Sequence, residues 1–335
     1  MSRPAPVVRS PVTTARGADP VSTTARTRDA TLLVAGAAAL WGLDGVLRKP
    51  LATALDAGTV VLWEHVIALA VLAPGLPAAL RAFARCRWRD RLAVVVIGVG
   101  ASAVATALFT QSFALAARSH DFVTPLVLQK LQPVFAIALA VVLLRERLRP
   151  SYAVFVLPAL VGAWLLTFAD PLDVRVSELQ AALLAVGAAV LWAGGTVLGR
   201  LVSTALDPRE ITTLRFGFGL LGAIGVVQAT GAAVAPGWGN LPGLVLLALI
   251  PGLFALVVYY RALRSTPASR ATLAELAFPA TAAVVGVLFL HTHLSGTQWL
   301  GLAVVAVAVT LLGWHESRRP AAVVPSARES EPVRG

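Results

Sequence analysis

A single cysteine, Cys86, excludes an intramolecular disulfide. Charge is scarce: 13% of residues are Asp, Glu, Lys or Arg, against roughly 25% in a soluble domain. Lysine is nearly missing. There are 2 lysines beside 26 arginines, and arginine supplies the net charge of +11. No Gly-rich P-loop occurs, so nucleotide hydrolysis has no motif behind it. No segment shows the apolar–polar alternation of a membrane barrel strand. Residues 1–30 have hardly any large apolar side chains and are rich in Pro, Ser, Thr and Arg. That composition predicts a disordered tail, and its lack of an apolar core close to Met1 argues against a secretory signal. In a soluble chain so much arginine would point to nucleic acid. Here the arginines lie in short loops between apolar runs, so membrane topology explains them and no nucleic-acid partner is expected.

What is present is apolar. Hydrophobic residues make up 57% of the chain. They fall into ten runs bounded by charge or turn residues, at about 31–49, 57–77, 92–117, 122–144, 151–169, 178–200, 209–230, 241–263, 271–290 and 297–315. Lipid offers backbone groups no partner, so each run must be helical. The predicted fold is an all-α integral membrane protein with ten transmembrane helices. The tails, 1–30 and 317–335, are expected to be disordered and cytosolic.

Orientation follows from the basic residues. With the N-terminus in the cytosol, 22 Lys and Arg fall inside and 4 outside: Arg48, Lys49, Arg118 and Arg175. Lys130 and Arg215 lie within spans. This is a strong positive-inside asymmetry. It requires an even number of spans and places both termini in the cytosol. The Ala-, Gly-, Val- and Arg-rich composition points to a GC-rich bacterium, hence to the bacterial inner (plasma) membrane.

The chain also repeats itself. Thr53-Ala54-Leu55-Asp56 returns 151 residues later as Thr204-Ala205-Leu206-Asp207, and 38–49 lies over 189–200 at the same offset, pairing Trp41 with Trp192. Two units of five helices result, 31–169 and 178–316. An odd number of helices per unit makes the second copy enter from the opposite face, so the repeats are inverted. That architecture gives two gates around a site near the midplane.

Several segments together resemble the EamA-like transporters of the drug/metabolite transporter superfamily. "LWG" (40–42) in span 1 is echoed by "LWA" (191–193) in span 6. "LQPVFAIALAVVLLRERL" (131–148) has a partner in "ELAFPATAAVVGVLFL" (275–290), and spans 3 and 8 end in "ALAARS" and "YYRALRST". The chain departs from the family pattern at Glu64-His65 and at Thr292, the second-copy mate of Glu146. The resemblance implies export or exchange, often proton-coupled, of small metabolites, amino acids or drugs; an exporter is the expected reading, with an importer or exchanger of a similar solute as its alternative.

Ionisable groups inside a membrane are costly and face a cavity or a partner. By this criterion Glu64, Lys130, Arg215 and Glu275 are the expected pathway residues, with Gln129, Gln132, Trp41 and Trp192 as further contacts. The expected pairs are Glu64 with Lys130 and Arg215 with Glu275. Asp44 is the first candidate for proton coupling and His65 a second. Their structural alternatives are a pair between Asp44 and Arg48 one turn later, and plain packing for His65. Asp56 and Asp207 read as helix N-caps, with Pro208 at the first helical position. Asp170-x-x-Asp173 and His291-Thr292-His293 lack the further ligands a metal site needs, so no metal or cofactor is expected. The expected partners are a small-molecule substrate and the lipid bilayer, with monomer and homodimer both open. An intramembrane lipid-modifying enzyme is the rival reading, and it would need convergent catalytic groups at one depth.

Overall fold

The computed structural model describes residues 30–119, 128, 131–147, 152–167, 170, 172, 179–290 and 293–317. Both predicted tails lie outside the described residues apart from their inner edges, as do Gln129, Lys130, Asp173, His291 and Thr292. Among the described residues there is no strand.

The first half carries α1 (Thr31–Trp41), α2 (Asp44–Ala54), α3 (Ala57–Leu72), α4 (Leu76–Arg85), α5 (Trp88–Val95), a π-helical segment (Val96–Val104), α6 (Ala105–Ser119), α7 (Gln132–Leu144) and α8 (Ala153–Thr167). The second carries α9 (Leu179–Val202), α10 (Pro208–Thr230), α11 (Leu241–Leu247), a second π segment (Ala248–Phe254), α12 (Ala255–Leu263), α13 (Ala268–Ala274), α14 (Ala277–Leu290) and α15 (Gly296–Ser317). Joined end to end, these elements give 8 continuous helical stretches long and apolar enough to cross a bilayer. Gln132–Leu144 and Ala153–Leu166 are apolar but shorter.

Both aspartates stand at the N-cap position, but only Asp207 belongs to a capping box; the Asp56 carboxylate makes no cap hydrogen bond and accepts from Ala233 N–H at 3.4 Å. Asp56 precedes α3 in an extended conformation. Asp207 precedes α10, whose first residue is Pro208, and Glu210 reaches back to accept the Asp207 N–H at 2.8 Å. That reciprocal arrangement satisfies donors which the first turn of a helix leaves unpaired.

The helices are interrupted where the sequence removes a donor or a side chain. Pro279 has no N–H, and its ring would clash with the carbonyl four residues back, that of Glu275. The chain therefore turns between α13 and α14, and Phe278 N–H takes the Glu275 carbonyl instead, at 2.9 Å. Span 1 turns at Gly42-Leu43, where a Cβ on Gly42 would come 2.6 Å from Thr281 Cβ of α14. The two π segments are related by the repeat: Val96–Val104 shifted by 151 falls on 247–255. Such bulges are rare and mark functional positions in many helices.

Small residues set the packing. α9 is central and buries Ala181, Ala185, Ala188, Ala189 and Ala193 along one face, which lets neighbouring backbones approach. The first π segment lies directly on α10: a Cβ on Gly98 would stand 2.5 Å from Phe218 Cβ and 3.0 Å from the Arg215 carbonyl. By contrast, Gly217 on the same helix has open space where its Cβ would be. Gly98→Leu is thus expected to destabilise by overpacking, by about 3 kcal/mol or more. Gly217→Ala should be neutral or stabilising by up to about 1 kcal/mol. Thermal unfolding in detergent, followed by retention of monodisperse protein, checks the contrast. α8 and α15 pair with each other at the periphery, where Gly162 and Gly301 meet the opposing helix.

Candidate functional site

A cavity of about 390 Å³ lies between the two halves. Its wall draws on every major helical stretch except the peripheral α8 and α15. The volume falls in the range of small-molecule sites.

One wall is an acid–base cluster. Arg48 on α2 donates from Nε to Asp44 Oδ2 at 2.6 Å and from Nη2 to Asp44 Oδ1 at 2.7 Å. The same guanidinium donates to both oxygens of Glu64 on α3, at 3.0 and 2.8 Å. The one-turn spacing of Asp44 and Arg48 aligns them on one helix face, and the planar fork then reaches across to α3. Two carboxylates share one cation.

The opposite arrangement surrounds Glu275. Its Oε1 accepts from Thr196 Oγ1 at 3.0 Å and from the Tyr259 hydroxyl at 2.7 Å; its Oε2 accepts from Gln132 Nε2 at 3.0 Å. All three donors are neutral. The carboxyl sits at the turn between α13 and α14, which projects it into the cavity, and it is 8% exposed.

Arg215 on α10 donates from Nη1 to the Tyr260 hydroxyl at 3.0 Å. Its Nε–H is buried without an acceptor. No ion pair joins Arg215 to Glu275 within 4 Å among the described residues, which corrects that expected pairing. Of the other expected pair, Glu64 is bonded to Arg48, and Lys130 lies outside the described residues, which leaves that pairing untested. Arg48, counted with the outer charges at the end of span 1, is in the cavity wall. Asp44 adopts the pairing with Arg48 that was its structural alternative.

His65 is packed and bonded. One ring nitrogen lies 2.7 Å from the Val61 carbonyl, which can only accept, so that nitrogen carries the proton. The other lies 2.9 Å from Ser102 Oγ on the π segment. Phe216 meets the ring edge-on at 5.4 Å, and α10 has Gly219 at the point where His65 abuts it.

Trp41 and Trp192 both line the cavity. Trp41 meets Tyr259 at 5.2 Å between ring centroids, and Trp192 meets Phe109 at 5.1 Å. Each tryptophan thus faces an aromatic of the other half. Gln132 lines the cavity; Gln129 falls outside the described residues. Ser102, Thr196, Tyr259 and Tyr260 were not foreseen. The only available signal was polarity inside an apolar run, which hydroxyl groups give weakly. Among the described residues no cluster of three or more His, Cys, Asp or Glu is placed to hold a metal.

A separate contact joins the halves at the end of α7. Arg145 adopts a left-handed conformation, with φ 55°. This turns Glu146 onto the start of α13, where its carboxylate accepts from Ala268 N–H at 2.7 Å, Ser269 N–H at 3.1 Å and Ser269 Oγ at 2.6 Å. The Tyr152 hydroxyl donates to the Ser269 carbonyl beside it.

The model of the EamA-like transporter family matches the chain twice, over residues 29–168 and 179–314. A riboflavin transporter, ImpX, of Fusobacterium nucleatum is 30% identical over 285 residues, covering 83% of this chain and 95% of that protein. The uncharacterized transporter YwfM of Bacillus subtilis is 30% identical over 184 residues, 54% of this chain and 60% of its own length. A solved crystal structure superposes with a TM-score of 0.69 at 20% identity, over 86% of this chain and 99% of that one, which speaks for the fold. Two family matches spanning the helices that build the cavity, with apolar stretches long enough to cross a bilayer, make this chain a multi-pass membrane transporter, a member of the EamA-like transporter family and not an enzyme.

Proposed function

We propose that the protein is a proton-coupled secondary active transporter, exporting a small organic metabolite across the bacterial inner membrane by alternating access. The observation that carries this reading is the cavity itself: a partly open, mainly apolar and aromatic space with a few charged and polar groups, built from both halves of a duplicated chain. The ten spans are the eight long stretches together with Gln132–Leu144 and Ala153–Leu166, arranged as two inverted five-helix repeats, 31–169 and 178–316. The related π segments and the mirrored Trp41–Tyr259 and Trp192–Phe109 contacts support that symmetry.

Aromatic walls with a few convergent polar groups suit a planar ring system. The likeness to a riboflavin transporter makes riboflavin the first solute to test. Trp41, Trp192, Gln132, Glu64, Arg215 and Glu275 line the path; Gln129 and Lys130, the further residues expected on it, lie outside the described residues. Among the carboxyl groups, Asp44 and Glu64 are tied to Arg48, whereas Glu275 is ringed by neutral donors. Glu275 can exchange a proton without stranding a guanidinium, so it stands before Asp44 and His65 as the coupling group.

Orientation is tested by reporter fusions. Fusions after residue 85 and at the C-terminus are expected to report cytosol, and one within 233–240 to report the outside. Termini on opposite faces would break the inverted-repeat reading. Flux of a solute panel in proteoliposomes, with and without a pH gradient, tests transport and coupling.

A further inference from the structure

We propose that Arg215 anchors the solute, its guanidinium fork gripping hydrogen-bond acceptors on one edge of a planar heteroaromatic ring. The proposal rests on the transport reading above and names the chemistry its cavity selects.

A guanidinium carries five N–H groups. One donates to Tyr260, and the Nε–H is buried without an acceptor. Nη2 has no acceptor among the described residues and is not sealed away, so it borders the cavity that Arg215 lines. The contrast with Arg48 is direct. Arg48 makes four charge-assisted hydrogen bonds to two carboxylates; Arg215 makes none. The carboxylates nearby are already engaged, Asp44 and Glu64 by Arg48 and Glu275 by Gln132, Thr196 and Tyr259. A buried donor left unpaired costs roughly 1–3 kcal/mol, and a cation within a membrane span is costlier still. The sealed Nε–H is out of a solute's reach, but the outer edge of the guanidinium, with Nη2 unpaired and open to the cavity, is poised for an acceptor that arrives from outside the chain.

The surroundings narrow what arrives. The guanidinium is planar and pairs two adjacent acceptors bidentately. The Trp41–Tyr259 and Phe109–Trp192 pairs line the same space and offer faces to a flat ring. Charge then separates a neutral ring from an anion. Three carboxyl groups and two guanidinium groups face the cavity, so with all of them ionised a free anion meets net negative charge. A neutral ring edge with carbonyl and ring-nitrogen acceptors meets no such barrier.

The test uses the full-length protein in nanodiscs, with riboflavin and phenazine as probes. Both are flat tricycles, but phenazine has no carbonyl groups. Wild-type protein is expected to bind riboflavin at least tenfold tighter than phenazine. Arg215→Gln and Arg215→Lys should each weaken riboflavin binding at least tenfold while leaving phenazine within about twofold, since a lysine ammonium cannot reproduce the fork. Riboflavin binding within twofold of wild type in Arg215→Gln overturns the proposal and leaves the transport reading standing. Should the variants not fold, the wild-type comparison decides: phenazine bound as tightly as riboflavin, or no riboflavin binding, overturns it. Transport as such is judged separately, by flux of the wider solute panel.

Discussion

Arg48→Gln should be the most destabilising conservative change in the cavity, costing about 3 kcal/mol. Removing one partner of a buried ion pair typically costs 3–5 kcal/mol because the other charge is left uncompensated. Here two carboxylates would be stranded together. The cavity face admits some water, with side-chain exposures of 31% for Arg48, 29% for Asp44 and 14% for Glu64, which argues for the lower end of that range. Thermal unfolding of detergent-purified protein measures the loss. The neutral triple variant Asp44→Asn, Arg48→Gln, Glu64→Gln is expected to recover most of the stability and little of the transport. An Arg48→Gln protein as stable as wild type would mean that the cluster is solvated surface charge and not a buried lock.

Glu275→Gln should abolish gradient-driven flux, by more than tenfold, while solute exchange without a gradient persists. The carboxyl is held by three neutral donors and lies within 4 Å of no cation among the described residues. Its protonation therefore changes the charge of the cavity without breaking an ion pair. Glutamine keeps the size and one acceptor, so binding geometry largely survives while the proton site does not. Asp44→Asn offers the control: it leaves Arg48 bonded to Glu64, and gradient-driven flux should survive it. Gradient-driven flux that survives Glu275→Gln and fails in Asp44→Asn would move coupling to the Arg48 cluster.

How far the sequence foretold this site follows from the kind of signal each residue emits. The intramembrane charges of Glu64, Arg215 and Glu275 stand out against apolar runs, and all three line the cavity. Trp41 and Trp192 stand out as repeat mates, and they do too. Arg48 sits among the charges at the outer end of span 1, so the sequence assigns it to the outer side and not to a cavity wall. The helix in fact turns at Gly42, resumes at Asp44 and carries Arg48 toward Glu64, 16 residues on. That pairing depends on the angle between α2 and α3, which periodicity does not encode. The Arg215–Glu275 pairing failed for a related reason: depth along a helix was legible, but not that Tyr259, Thr196 and Gln132 would claim the carboxylate first. Tyr260, Ser102 and Thr196 emit little signal, since a hydroxyl inside an apolar run barely changes its hydropathy. The break at Glu275 was written in Pro279 four residues later.

We propose that the shared cavity is the solute path of a proton-coupled transporter. The most direct measurement is riboflavin flux in proteoliposomes holding wild-type protein, with and without an imposed pH gradient, beside Glu275→Gln. The expected result is flux above protein-free vesicles, accelerated at least tenfold by the gradient in the wild type and unaffected by it in the variant. Riboflavin flux that ignores the gradient, or that responds to it equally in Glu275→Gln, would contradict it.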